Sequence, residues 1–184
     1  MKQSLGAWEI HVNTEAMPEK IATAFDGLNQ KWLGAKYRPI AYLGSQLVNG
    51  TNHAILGQQT MIDADNTKNV VLAVFNEPIF KGKIVEATLV YLEHILDTFS
   101  ACGEIHVNDD FKITVEAQTA FDALIEKCTG VKVEPFAFLA TQVTTDVNYF
   151  FAAVVTSLTN PTTQNVDLVM VSPNSYTITL DIII

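Results

Sequence analysis

Few residues in this chain are of a type and spacing that could do chemistry. Asp63-Ala64-Asp65-Asn66 opens like a calcium loop, but Lys68 stands where that loop needs its glycine and Val74 where it needs its bidentate glutamate. A polar hairpin turn is the better reading. The four histidines, His11, His53, His94 and His106, show no H-x-x-x-H or Cys/His spacing of a zinc site and read as strand residues, His11 and His106 being the same position twice. Cys128 falls on the apolar stripe of a helix, which suits a small buried hydrophobe rather than a nucleophile. Neither a G-x-S-x-G turn nor a phosphate-binding glycine loop occurs. The expectation is a protein that is not an enzyme and uses no metal and no cofactor. What remains is Gln46-Leu47-Val48-Asn49-Gly50, whose chemistry is binding. Gly50 can take a positive φ, so Asn49-Gly50 makes a tight hairpin tip that holds Leu47 and Val48 outward as a blunt apolar wedge.

Elements must position that tip. With 48% hydrophobic and 17% charged residues, the 184-residue chain can bury a core, which excludes a disordered polar tail. The net charge of −9, with no gathering of cations, argues against nucleic acid. The longest apolar runs, such as Tyr149–Val155, fall short of the ~20 residues a membrane helix needs. The opening MKQSLGAWEIHVN lacks a secretory apolar run and cleavage site, so a cytoplasmic location is expected, with Cys102 and Cys128 as thiols. On that expectation the Asn49-Gly50-Thr51 glycosylation pattern goes unused.

The chain repeats itself. Glu9-Ile10-His11-Val12-Asn13 recurs as Glu104-Ile105-His106-Val107-Asn108, 95 residues on. At a step of 96, Ala24-Phe25-Asp26 matches Ala120-Phe121-Asp122, and Gly34, Pro39, Gln46 and Asn52 match Gly130, Pro135, Gln142 and Asn148. We read a tandem of two copies, residues 1–98 and 99–184. They have diverged in charge: the first carries 8 basic and 10 acidic residues, the second 3 and 10, giving −2 and −7. Each copy opens with a short alternating strand. An amphipathic helix of ~16 residues follows, drawn by Ile21, Phe25, Leu28 and Trp32, or by Ala117, Phe121, Leu124 and Cys128. Pro18 suits the helix start, and Gly34 and Gly130 its end. Antiparallel strands are predicted near 37–48, 51–62, 69–75 and 83–92. The fold class is therefore α+β: twice over, one helix packed across a curved antiparallel sheet of four to five strands with one apolar face.

On these residues the first copy resembles the cystatin family, and among its members the disulfide-free stefins, reversible inhibitors of papain-like cysteine proteases. Gln46-Leu47-Val48-Asn49-Gly50 fits the family's Q-x-V-x-G loop and continues as Thr51-Asn52. Val74-Phe75-Asn76-Glu77-Pro78 lies where the family has its second hairpin, and Gly6 stands near its N-terminal glycine. The resemblance implies two cystatin-like domains, the first occluding a protease cleft with Gly6, Gln46, Leu47, Val48, Asn49, Gly50, Asn76, Glu77 and Pro78. Gln46 would hold the loop, and the charge of Glu77 would meet the cleft. The Pro-Trp pair of secreted cystatins is absent.

In the second copy the loop reads Gln142-Val143-Thr144-Thr145-Asp146, which puts a charge where the turn glycine was. A degenerate repeat that does not inhibit is expected. The alternative for the whole chain is a non-inhibitory cystatin-fold interaction or structural module, with a homodimer or strand swap as a further possible partnership. A pocketed enzyme or carrier of the ketosteroid-isomerase-like kind would need a deep cavity between helix and sheet.

Overall fold

The structure, a computed structural model, describes residues 6–15, 17–80, 83–84, 86–100, 103–159, 163–172 and 175–179. The chain divides into two compact units, Met1–Ile95 and Leu96–Ile184, a few residues before the break anticipated after Thr98. Cys102 lies outside the described residues. No helix among the described residues is long and apolar enough to cross a membrane.

The first unit opens with β1 (Trp8–Asn13) and α1 (Glu19–Asn29), followed by β2 (Ala35–Val48), β3 (Gly50–Met61) and β4 (Lys68–Glu77). A two-residue ribbon, β5 (Ile79–Phe80) with β6 (Lys83–Ile84), precedes β7 (Thr88–Leu96). The antiparallel sheet has the order β1-β2-β3-β4-β7. α1 starts at Pro18, whose carbonyl accepts from the amides of Ile21 and Ala22. Glu19 in the first turn suits the positive end of the helix dipole.

The helix has 11 residues, shorter than expected. After Asn29 the chain tightens, with Lys31 and Trp32 bonding back three residues to Leu28 and Asn29. Trp32 keeps its place on the apolar stripe from this turn, meeting Phe25 edge-on at 5.9 Å and Tyr37 at 4.6 Å. Gly34 and Gly130 therefore do not cap the helices; each stands just ahead of the next strand.

Ile21, Phe25 and Leu28 pack against Tyr42, Ile55, Ala73 and Phe75 to form the core on the helix side. The other face is not open: Leu43, Ala54, Leu56, Leu72 and Val74 are at most 1% exposed. The expectation of a sheet with one apolar face is thus corrected. Val70 through Phe75 is an unbroken apolar run, the pattern of a strand covered on both sides.

The second unit contains β8 (Phe99–Ser100), β9 (Gly103–Val107), α2 (Val115–Ile125), β10 (Val131–Val143), β11 (Val147–Ser157), β12 (Gln164–Ser172) and β13 (Ser175–Thr179). Its sheet has six strands in the order β13-β12-β11-β10-β9-β8, more than the four to five anticipated. Ala117 and Phe121 of α2 reach a core with Phe138, Phe151 and Val169, and partly buried Cys128 packs against it. β2 breaks register between Pro39 and Ala41 and between Tyr42 and Gly44; β10 does so between Pro135 and Ala137 and between Phe138 and Ala140. Such bulges bend long strands, so both sheets curl at corresponding places.

The first strands do not correspond in the way their shared Glu-Ile-His-Val-Asn suggests. In the first unit Ile10 pairs with Gly44 and Trp8 with Gln46. In the second, Val107 pairs with Ala140 and Ile105 with Gln142. Relative to its partner strand the matching sequence has slipped by two residues, which keeps each side chain on its face. Gly44 supplies the reason: a β-carbon there would lie 2.2 Å from the Glu9 carbonyl oxygen, and the second unit has Ala140 at that place. His11 and His106 are consequently not equivalent in the fold.

Candidate functional site

β2 and β3 meet with Val48 opposite Gly50, so Asn49 alone makes the turn. Asn49 is exposed, whereas Leu47 and Val48 are half-buried and Gly50 is buried. The wedge is therefore flatter than the sequence implied. Gly50 has φ +102°, and a β-carbon on it would fall 2.3 Å from the Glu77 carbonyl oxygen and 2.7 Å from Pro78 Cα. The turn is thus seated directly on the end of β4.

Amide side chains fasten the N-terminal segment to the same place. Asn76 Nδ2 donates to Asn52 Oδ1 at 2.8 Å, Asn52 Nδ2 to Gln46 Oε1 at 2.8 Å, and Gln46 Nε2 to the Gly6 carbonyl at 2.9 Å. The Gly6 amide in turn donates to the Leu47 carbonyl at 3.1 Å. Because Gln46 faces Asn52 and Asn52 faces Asn76 across the ladder, three amides from three strands stand in a row. Asn76 donates, and Asn52 and Gln46 each accept on one side and donate on the other, so the row has a direction that ends on Gly6. The structure thereby brings Gly6, the Gln46–Gly50 turn, Asn76 and Pro78 to one edge. Asn52 is the member whose part the sequence did not declare, since its role depends on register.

Glu77 is placed differently from the expectation that its charge faces outward. Its side chain is 7% exposed and turns to the helix side, where Oε2 accepts from Lys20 Nζ at 2.8 Å and lies 3.2 Å from His53 Nε2. Strand alternation accounts for this: Glu77 shares its face with Phe75, and Asn76 has the opposite one. His53 Nδ1 lies 3.1 Å from the Tyr42 hydroxyl. A carboxylate only accepts, so Nε2 carries the imidazole proton and Nδ1 takes the Tyr42 hydroxyl hydrogen.

Burial holds His53 below the ordinary imidazole pKa and outweighs the attraction of Glu77, with Lys20 adding repulsion. Burial likewise raises Tyr42. Unfolded His53 protonates near 6.5 and folded His53 at lower pH, so between the two the unfolded chain binds more protons. Stability of this unit should therefore fall as pH drops below about 6.5. Urea unfolding between about pH 7.5 and pH 5.5 will show that slope, and His53→Gln should flatten it. An unaltered slope in the variant would assign it to other groups.

A cleft of about 530 Å³ opens beside Glu77, between α1 and the residues leading into β7. Lys20, Ala24, Gly27 and Leu28 of α1, with Lys31 just beyond it, line one side, and Glu77, Glu86 and Ala87 the other. The fold brings Glu19, Glu77 and Glu86 to this one cleft. Asp63, the start of the rejected calcium loop, accepts from the Thr67 amide at 3.0 Å, and that hydrogen bond holds its carboxyl below the usual range. Among the described residues no group of three or more His, Cys, Asp or Glu side chains could hold a metal ion.

The second unit repeats part of the edge. Asn148 Nδ2 donates to Gln142 Oε1 at 3.3 Å, and Gln142 Nε2 to the Gly103 carbonyl at 3.1 Å. Its turn is closed by the Thr144 amide and hydroxyl, both donating to the Asp146 carbonyl, and Val143 is 63% exposed. No family model, no curated protein and no solved structure matches the chain.

Proposed function

We propose that the first unit is a cystatin-like, stefin-like reversible inhibitor of papain-like cysteine proteases, acting by occlusion of the active-site cleft. The observation that carries this reading is the convergence of Gly6, the Leu47–Gly50 turn and Pro78 on one edge, locked by the Asn76–Asn52–Gln46 row. Such an edge is ordered before binding, so association loses little conformational entropy. Gly6, Leu47, Val48, Asn49, Gly50 and Pro78 would form the contact, with Gln46 and Asn76 supporting it. Glu77, buried under the helix, belongs to the support and not to the contact. No chemical step falls to the chain: it presents shape, apolar surface and backbone hydrogen bonds. The second unit, with Thr144 and Asp146 at its turn, would not inhibit.

Titration of papain with the whole chain tests this. Inhibition is expected at micromolar protein or below, and Val48→Asp should weaken it about 100-fold or more, because a carboxylate entering the cleft unpaired costs several kcal/mol. Full papain activity at micromolar protein overturns the reading.

One observation favours a second reading, a cystatin-fold interaction module with no protease target. Only Asn49 of the turn is exposed, and Leu47 and Val48 offer less apolar surface than a freely projecting tip would. On that reading Val48→Asp leaves papain untouched because the parent chain does too.

A further inference from the structure

The cleft beside α1 shares Glu77 with the support of the edge described above but none of its contact residues, and its construction has its own logic. Two ion pairs from separate elements bound it, Lys20 with Glu77 and Lys31 with Glu86. Their lysines are 11 residues apart on and just beyond α1, roughly 16 Å along a helix axis. Between them the helix offers Ala24, Gly27 and the flank of Leu28, and Ala87 faces them from across the cleft.

Gly27 keeps this stretch open: a β-carbon placed on it meets no atom within 4 Å. The volume, about 530 Å³, is that of a small-molecule site. Among the described lining residues three carboxylates, Glu19, Glu77 and Glu86, stand against two ammonium groups, leaving one negative charge in excess. Glu77 is the most enclosed of them, and among the described residues both its polar contacts fall on Oε2. Its second oxygen can accept from a ligand.

We propose that this cleft binds a small monocationic amine with an apolar body. The ammonium donates to Glu77, and the body lies along Ala24, Gly27 and Leu28. An anionic ligand of the same shape is refused, since it would add to the excess negative charge beside a desolvated carboxylate. The inference is independent of protease binding.

The test titrates the full chain with 2-phenylethylamine and, separately, with 3-phenylpropionate, following saturation by calorimetry and by amide chemical shifts of α1. Saturable binding of the amine at millimolar concentration is expected, with no saturation by the carboxylate. Gly27→Leu should fill the cleft and lower amine affinity by about tenfold or more, while its unfolding midpoint is no lower than the parent's, because the helix loses a glycine. Glu77→Gln, which keeps the shape and removes the charge, should lower amine affinity by a similar factor. Absence of saturable amine binding, equal binding of the carboxylate, or unchanged amine affinity in a folded Gly27→Leu chain overturns the proposal. Should Gly27→Leu not fold, the comparison of the two ligands on the parent chain decides alone.

Discussion

Gly50→Ala should destabilise the first unit by about 3–5 kcal/mol and, on the proposed function, abolish the papain inhibition expected of the parent. Two effects add. A non-glycine residue held at φ +102° is strained by about 1–3 kcal/mol. The added carbon would also sit 2.3 Å from the Glu77 carbonyl oxygen, which is backbone and cannot rotate away as a side chain can. Relief requires the turn to lift from β4, breaking the junction that sets Pro78 beside Gly50. Urea unfolding followed by Trp32 fluorescence measures the first effect, and papain titration the second. A loss below about 1 kcal/mol would mean that the turn is not seated on β4.

Gly44→Ala should act on the other side of the same edge. The new carbon lies 2.2 Å from the Glu9 carbonyl oxygen and 3.2 Å from Ile10 Cα, so β1 cannot stay where it is. The second unit supplies the alternative, a two-residue slip in which alanine is tolerated opposite Val107. In the first unit that slip would bring Trp8 to the place of Gly6, where the backbone is at φ +87°, a conformation unfavourable for tryptophan. We expect β1 to detach, with amides of Trp8–Val12 losing exchange protection, a loss of about 2–4 kcal/mol and, on the proposed function, inhibition weakened by about 100-fold. Protected β1 amides with the parent's affinity would show that the strand reaches its partner by another route.

Both substitutions test contacts that residue order alone does not reveal. Ile21, Phe25 and Leu28 announced α1 because their spacing places them on one face of a helix, and helical contacts are local. Asn49-Gly50 announced the turn for the same reason. The end of α1 was harder: Trp32 continues the apolar stripe, and nothing in its spacing tells an α-helix from the tighter turn that carries it there.

Alternation puts Glu77 on the face of Phe75, but which face of the sheet α1 covers, and which residues stand across from one another, are long-range properties. The bulges at Pro39–Ala41 and Tyr42–Gly44 displace every pairing beyond them. The acidic side chain expected to face a cleft turned under the helix, where Lys20 compensates its charge and His53 donates to it. The burial of both sheet faces was foreshadowed by Val70–Phe75, yet an apolar run does not say how many of its sides are covered.

The order of types along the chain was enough to announce the α+β class, both helices, the long strands and the tight turn at Asn49, though not the ends of the helices or the number of strands, since these elements follow from periodicity and local backbone preference. The tertiary structure decided the rest: that Asn76, Asn52 and Gln46 form a row ending on Gly6, that Gly50 rests on β4, and that a cleft gathers Glu77 with Glu86 beside two lysines. These depend on which residues stand opposite one another across strands far apart in sequence. That choice is made by bulges, close backbone approaches and packing acting together, and no single segment encodes it.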